Sequence, residues 1–338
     1  MDLLDICIGN IIPEVKPFII ITLPSASRMD AADMAGTMPA EQVFLVTMMV
    51  ITWISGVALS SSVVMVYITE WKKKRQISVC DRIFAFMAFT NLLLQSSISI
   101  NVLTYLFWLP QLETDRGLIM MCSVIFSYLI YDNTWHSAWL AGYYCVTLVN
   151  SSHRVFVLLK HRLSSSMTQL LIATSAALFL INLPFMWTVT VTVTHNNSSS
   201  PREFTLQNNQ LFMVFNVLLG FCLPFVVTLV CIGLSVGALL RHIWRMRSSS
   251  SQFTSSPQLQ GHVRAVRTMT LHALLNFVLY VSLVIVVSPF KLVWVVVPWL
   301  AIMFHPSIQI ITLIMGNPRL EKKLQLWRHL VSGGLDQR

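Results

Sequence analysis

Seven stretches of this chain stay apolar for the thickness of a bilayer: approximately 43–68, 83–107, 117–149, 168–193, 211–240, 265–288 and 292–315. A helix needs about 20 largely apolar residues to cross the hydrocarbon layer, and each window supplies them. The polar segments between the windows are short. The pattern therefore predicts an all-α membrane protein, with residues 43–315 forming one seven-transmembrane helix bundle. No internal repeat is visible, which argues against an inverted-repeat transporter.

The two ends of the chain read differently. Residues 1–42 are expected to be an extracellular N-terminal tail, with Met38 as an alternative start. The apolar run "FIIITL" at 18–23 is too short, and follows too many acids, to serve as a secretory signal. Residues 316–338 are expected to form a cytoplasmic amphipathic helix and tail. Leu320, Leu324, Trp327 and Val331 make its apolar stripe, and Pro318 suits a first helical turn.

Composition sharpens this picture. Of 338 residues, 55% are hydrophobic and 11% charged, against roughly 25% charged in soluble domains. Eighteen of the 23 Lys and Arg fall in segments 69–82, 150–167, 241–267 and 316–338. Basic residues gather at cytoplasmic span ends, so the N-terminus is expected outside and the C-terminus inside. The basic excess then faces anionic membrane lipid or an acidic cytosolic partner rather than nucleic acid. The segment "HNNSSS" offers overlapping N-x-S acceptors at Asn196 and Asn197 on the outer side. The acceptor at Asn150 lies on the inner side and is expected to stay unmodified.

Candidate chemistry inside the spans is sparse. Asp132 is the only acid well within a window, and His136 sits one turn along the same face. An intramembrane carboxylate is a candidate binding residue for a cation. The reading favoured here is an interhelical hydrogen bond, and His272 and Asn91 are read in the same way. Aromatic residues crowd the outer halves of the spans, among them Phe126, Tyr131, Trp135, Tyr280, Trp294 and Trp299, and could line a cavity for a small hydrophobic ligand. The cysteines suggest no disulfide framework, and Pro224 and Pro306 are candidate joints. No H-x-x-x-H pair within a span and no G-x-S-x-G occurs, so no enzyme and no metal or other cofactor is expected.

Segment 148–163, "LVNSSHRVFVLLKHRL", interrupts a basic inner loop with five apolar residues, Val155 to Leu159. A short helix at the membrane surface would place Phe156, Leu159 and Leu163 on one face. His153, Arg154, Lys160 and Arg162 would then meet headgroups or a bound partner.

These inner segments resemble one known family. "EWKKKRQISVCDRI" (70–83), "NSSHRVFVLLKHRL" (150–163), "LPFVVTL" (223–229), "LLRHIWRM" (239–246), "HVRAVRTM" (262–269) and "PSIQIITLIMGNPRL" (306–320) match, in order, motifs of the type 2, or bitter, taste receptors. The resemblance implies a G-protein-coupled chemosensory receptor of the plasma membrane that answers a small-molecule agonist through a gustducin-like, inhibitory-type heterotrimeric G protein. It implies coupling roles for His242, Arg245 and Arg264 beside the four residues above. It also places Phe126, Ile130 and Trp299 in the ligand pocket, where Ile130 stands at a usually polar position. An uncharged hydrophobic or aromatic agonist is expected.

The chain departs from the family at Ser60, Asn91, Thr147 and Gln309, where Asn, Arg, Lys and His are usual. A Ser60–Asn91 contact is the expected replacement for the first pair. The alternatives are a vomeronasal type 1-like pheromone receptor and, from another class, a membrane transporter or channel. Rhodopsin-like receptors fit less well, since D/E-R-Y and N-P-x-x-Y are both missing.

Overall fold

The structure is a computed structural model that describes residues 40–73, 77–103, 116–149, 154–194, 203–208, 210–249, 257–287 and 296–325. The chain runs through α1 (Ala40–Lys72), α2 (Val79–Leu103), α3 (Arg116–Leu148) and α4 (Arg154–Asn182). A helical turn at Phe185–Thr188 leads into β1 (Val189–Thr194), which pairs antiparallel with β2 (Glu203–Asn208). Then come α5, α6 (Pro257–Val287), α7 (Val296–Gly316) and a last helix, α8, over residues 318–325. The first part of α5 is Gln210–Val217 and the second is Leu223–Ser249, joined by a π-helical turn at Leu218–Cys222.

Among the described residues, six helices are long and apolar enough to cross a membrane, at Val43–Lys72, Val79–Leu103, Ser165–Asn182, Val214–Arg241, Gln260–Val286 and Val296–Gly316. The helix outside this set is α3. Its 33 residues rise about 50 Å, but its middle carries Asp132, Asn133, Thr134, His136 and Ser137. All five are buried, because α3 is the post around which α2, α4, α5 and α6 pack. Polar side chains in a bundle interior bond to neighbouring helices instead of facing lipid.

Burial divides the bundle into three tiers. At the α8 end, Val63, Tyr67, Phe84, Leu140, Met167 and Leu320 belong to one apolar core. At the opposite end, Met49, Ile98, Leu129, Ile130, Leu279 and Ile302 form a second. Between them lies a polar layer that includes Asn91, Asp132, Asn133, His136 and Gln309. Leu, Val, Phe and Ile dominate the outward faces, as expected where the solvent is hydrocarbon.

Three expectations are corrected. The apolar window 168–193 is not one helix: α4 ends at Asn182, two residues before Pro184, and the rest turns into a strand. The alternation Val-Thr-Val-Thr-Val-Thr at 189–194 has the period of a strand, and β-branched residues favour one. Among the described residues, the regular structure is helical apart from this two-stranded ribbon. The patch at Val155–Leu159 is no separate surface helix either, since α4 runs unbroken from Arg154. Leu163 turns into the core while Val157 and Leu158 stay exposed. Finally, the apolar stripe of α8 faces protein, with Leu320 and Leu324 buried in the first core; Trp327 and Val331 lie outside the described residues.

The residues of "GNPRL" each have a local role. A Cβ on Gly316 would stand 2.5 Å from Thr268 Oγ1, so only glycine lets α7 lie this close to α6. Asn317 Oδ1 accepts from the backbone N–H groups of Arg319 and Leu320 at 3.0 and 3.3 Å, capping α8. Pro318 takes the first helical position, where its missing N–H costs nothing. Ser78 caps α2 in a similar way, its Oγ accepting from the N–H of Asp81 at 3.2 Å.

Candidate ligand and coupling sites

The candidate ligand residues fall into two linked groups. Phe126, Ile130, Tyr131 and Trp299 gather around the second core, beside Leu94, Leu279, Ile302 and Met303 from α2, α6 and α7. Here α3 and α7 present aromatic and aliphatic side chains to the same space.

Trp135 and Tyr280 are both engaged by α5. Trp135 donates its indole N–H to the carbonyl of Leu219 at 3.1 Å. Leu219 lies in the π-helical turn, whose bonding runs from the Leu223 N–H back to Leu218 O. Pro224 follows directly and has no N–H to offer Gly220, so an irregular turn here has a local cause. Tyr280 stacks on Phe221 with centroids 3.9 Å apart and planes at 8°. Phe221 in turn stacks on Phe225 at 5.4 Å. Tyr131 joins the two groups: its ring fills the space where a Cβ on Gly220 would sit, 2.5 Å away.

The polar layer below is a chain of amides. Asn133 Nδ2 donates to Asn91 Oδ1. Gln309 Nε2 donates to Asn133 Oδ1 at 2.6 Å and to Ser137 Oγ at 3.2 Å. The amides thus tie α2, α3 and α7 together. The expected Ser60–Asn91 contact does not form, since Asn91 bonds to Asn133 and Ser60 Oγ has no protein partner. Thr147 satisfies itself on the carbonyls of Tyr143 and Tyr144, both at 2.9 Å.

Asp132 makes the interhelical bonds favoured from sequence. Its Oδ1 accepts from Ser175 Oγ at 2.6 Å and its Oδ2 from Thr90 Oγ1 at 3.1 Å, joining α3 to α4 and α2. His136 Nδ1 stands 3.6 Å from the same Oδ2. This carboxylate faces α2 and α4. His272 likewise meets Thr312 at 3.4 Å.

Of the candidate coupling residues, Arg162 and Arg264 are exposed near the helix ends that flank the α8 tier. Arg154, Lys160, His242 and Arg245 lie within α4 and α5, where only their backbone is described. His153, Asn196 and Asn197 lie outside the described residues.

Sequence reasoning missed Asn133, the hub of the amide chain, although its neighbour Asp132 drew attention. Its spacing of four residues from Ser137 was the available signal. It also missed an ionic cluster beneath α1 and α2. There Lys323 Nζ lies 2.7 Å from Glu70 Oε2 and 3.7 Å from Asp81 Oδ2. Nothing local in the sequence links residues 253 positions apart.

Taken together, the apolar helices and the buried polar layer define a helical membrane protein that crosses the bilayer several times. Comparison with known proteins identifies the family. The model of the Taste receptor protein (TAS2R) family matches residues 37–330, and the chain belongs to that family, one of receptors and not of enzymes. It is 25% identical over 291 residues to Taste receptor type 2 member 40 of Gallus gallus, covering 82% of this chain and 91% of that protein. It is 23% identical over 302 residues to Taste receptor type 2 member 39 of Homo sapiens, covering 85% and 89%. Taste receptor type 2 member 9 of Homo sapiens is 25% identical over 275 residues, covering 79% and 87%.

Proposed function

We propose that this protein is a bitter taste receptor of the plasma membrane that threads the bilayer seven times and activates a heterotrimeric G protein of the gustducin-like, inhibitory type. The observation that carries this reading is the family match along residues 37–330. In this arrangement α3 is the seventh crossing, residues 1–42 and the β1–β2 ribbon face outside, and α8 faces the cytosol. The concentration of Lys and Arg on the α8 side supports that orientation.

The agonist is a small, mostly uncharged hydrophobic or aromatic compound seated among Phe126, Ile130, Tyr131 and Trp299. The apolar character of the second core supports this choice. Trp135 and Tyr280 act from one layer away, holding α5 against α3 and α6. His153, Arg154, Lys160, Arg162, His242, Arg245 and Arg264 form the basic surface for the G protein. Agonist binding does work on the bundle only through its preference for the signalling arrangement.

The test is a calcium readout in cells that carry a promiscuous G protein, screened with a library of bitter compounds. A saturable, G-protein-dependent response supports the reading. A ligand-evoked ion current that persists without G protein replaces it with a channel.

A further inference from the structure

The ionic cluster under α1 and α2 is a built feature. Lys323 Nζ bonds Glu70 at 2.7 Å, stands 3.7 Å from Asp81 and lies 5.7 Å from the centroid of the Tyr67 ring. Tyr67 donates its hydroxyl to Asp81 Oδ1 at 3.1 Å. The Lys323, Glu70 and Asp81 side chains keep only 26%, 15% and 10% of their exposure. Both carboxylates are held by the bundle itself. Glu70 is on α1, and Asp81 sits in the first turn of α2, where the helix dipole favours a negative charge.

The element that Lys323 brings to them is amphipathic, and an amphipathic helix owes most of its stability to the packing of its apolar face. Leu320 and Leu324 give it an apolar footing in the first core. Lys323 lies between them on the sequence and supplies the directional contact. One cation also serves two acids, so removing it leaves two largely buried carboxylates without their counter-charge.

We propose that Lys323 is a positioning residue: by clasping Glu70 and Asp81 it docks α8 beneath α1 and α2 as a fixed part of the surface that meets the cytosolic partner. The docking stands on the geometry alone, whereas the partner rests on the proposed G-protein coupling. Without the clasp, α8 detaches, the first core gives up Leu320 and Leu324, and the partner-facing surface loses one wall.

The test uses the full-length receptor in lipid nanodiscs, with hydrogen exchange measured over residues 318–325. Lys323→Met exchanges about tenfold faster there than the wild type, the effect of a pair between exposed and fully buried. Glu70→Gln has a smaller effect, because Asp81 remains. Lys323→Arg keeps one cation between the two acids and retains slow exchange. Unchanged exchange in Lys323→Met, or fast exchange in Lys323→Arg, overturns the proposal. If Lys323→Met yields no folded receptor, normal yield with slow exchange in Lys323→Arg supports the clasp and their loss overturns it. Ligand-independent nucleotide exchange on an added heterotrimer shifts in Lys323→Met and stays at the wild-type level in Lys323→Arg. A wild type that never turns over a G protein, with hydrogen exchange as expected, removes the coupling reading and leaves the clasp standing.

Discussion

Gln309 on α7 and Asn133 on α3 are joined amide to amide, with Nε2 and Oδ1 2.6 Å apart in the middle of the bundle. The flexible amide of Gln309 reaches both Asn133 and Ser137. A buried amide left without its partner costs about 1–3 kcal/mol. Gln309→Leu is therefore expected to lower thermal stability by about that amount, and Asn133→Leu by more, since Asn133 also holds Asn91. In the double variant the losses should fall short of additive, which a double-mutant cycle on melting in nanodiscs would read directly.

Gly220 should accept no side chain while Tyr131 is present. Overpacking of this kind costs about 1–3 kcal/mol, and Gly220→Ala is expected to reduce the folded receptor at the cell surface. Tyr131→Leu in the same chain frees the space and should restore it. Epitope staining of intact cells measures both. No rescue would mean that the α3–α5 approach is held by something other than this ring.

Asp132→Asn is expected to leave the dose–response curve for an uncharged agonist in place, because Ser175 and Thr90 already occupy its carboxylate oxygens. Asp132→Leu instead strands two hydroxyls and should cost about 1–3 kcal/mol in stability. The comparison separates a structural acid from a ligand anchor. A selective loss of agonist potency in Asp132→Asn would assign it to the pocket.

Trp299→Ala removes the aromatic wall that α7 lends to the second core. The response to an aromatic agonist is expected to move to higher concentration, with surface density unchanged. An unmoved curve takes Trp299 out of the pocket.

Treatment with a glycosidase should shift the wild-type band on a gel, and the shift should vanish when Asn196 and Asn197 are both changed to Gln. Asn150→Gln should change nothing. The reverse result would turn the chain over in the membrane.

The sequence exposed what depends on runs and on local chemistry. Apolar windows located the helices, Pro224 marked the irregular turn in α5, and Pro318 announced the start of α8. Asp132 was legible as an interhelical contact because a lone acid in an apolar run must find hydrogen-bond donors. What stayed hidden depended on faces meeting across the bundle. Averaged hydropathy counted Val189–Thr194 as membrane although its alternation pointed to a strand. Ser60 and Asn91 seemed natural partners until the positions of α1, α2 and α3 gave Asn91 to Asn133. That Trp135 bonds Leu219 and Tyr280 stacks on Phe221 was set by how α5 meets α3 and α6. Lys323 and Glu70 meet only after every intervening helix is in place.

The polar midsection of α3 has a consequence for biogenesis. On the seven-span arrangement, a segment with Asp132, Asn133 and His136 at its centre partitions poorly into lipid when it leaves the translocon alone. It has to be retained until Thr90 has already been delivered by α2 and Ser175 arrives with α4. Sequence changes at those two hydroxyls should therefore act first on threading, appearing as chains retained in the endoplasmic reticulum before any agonist is offered.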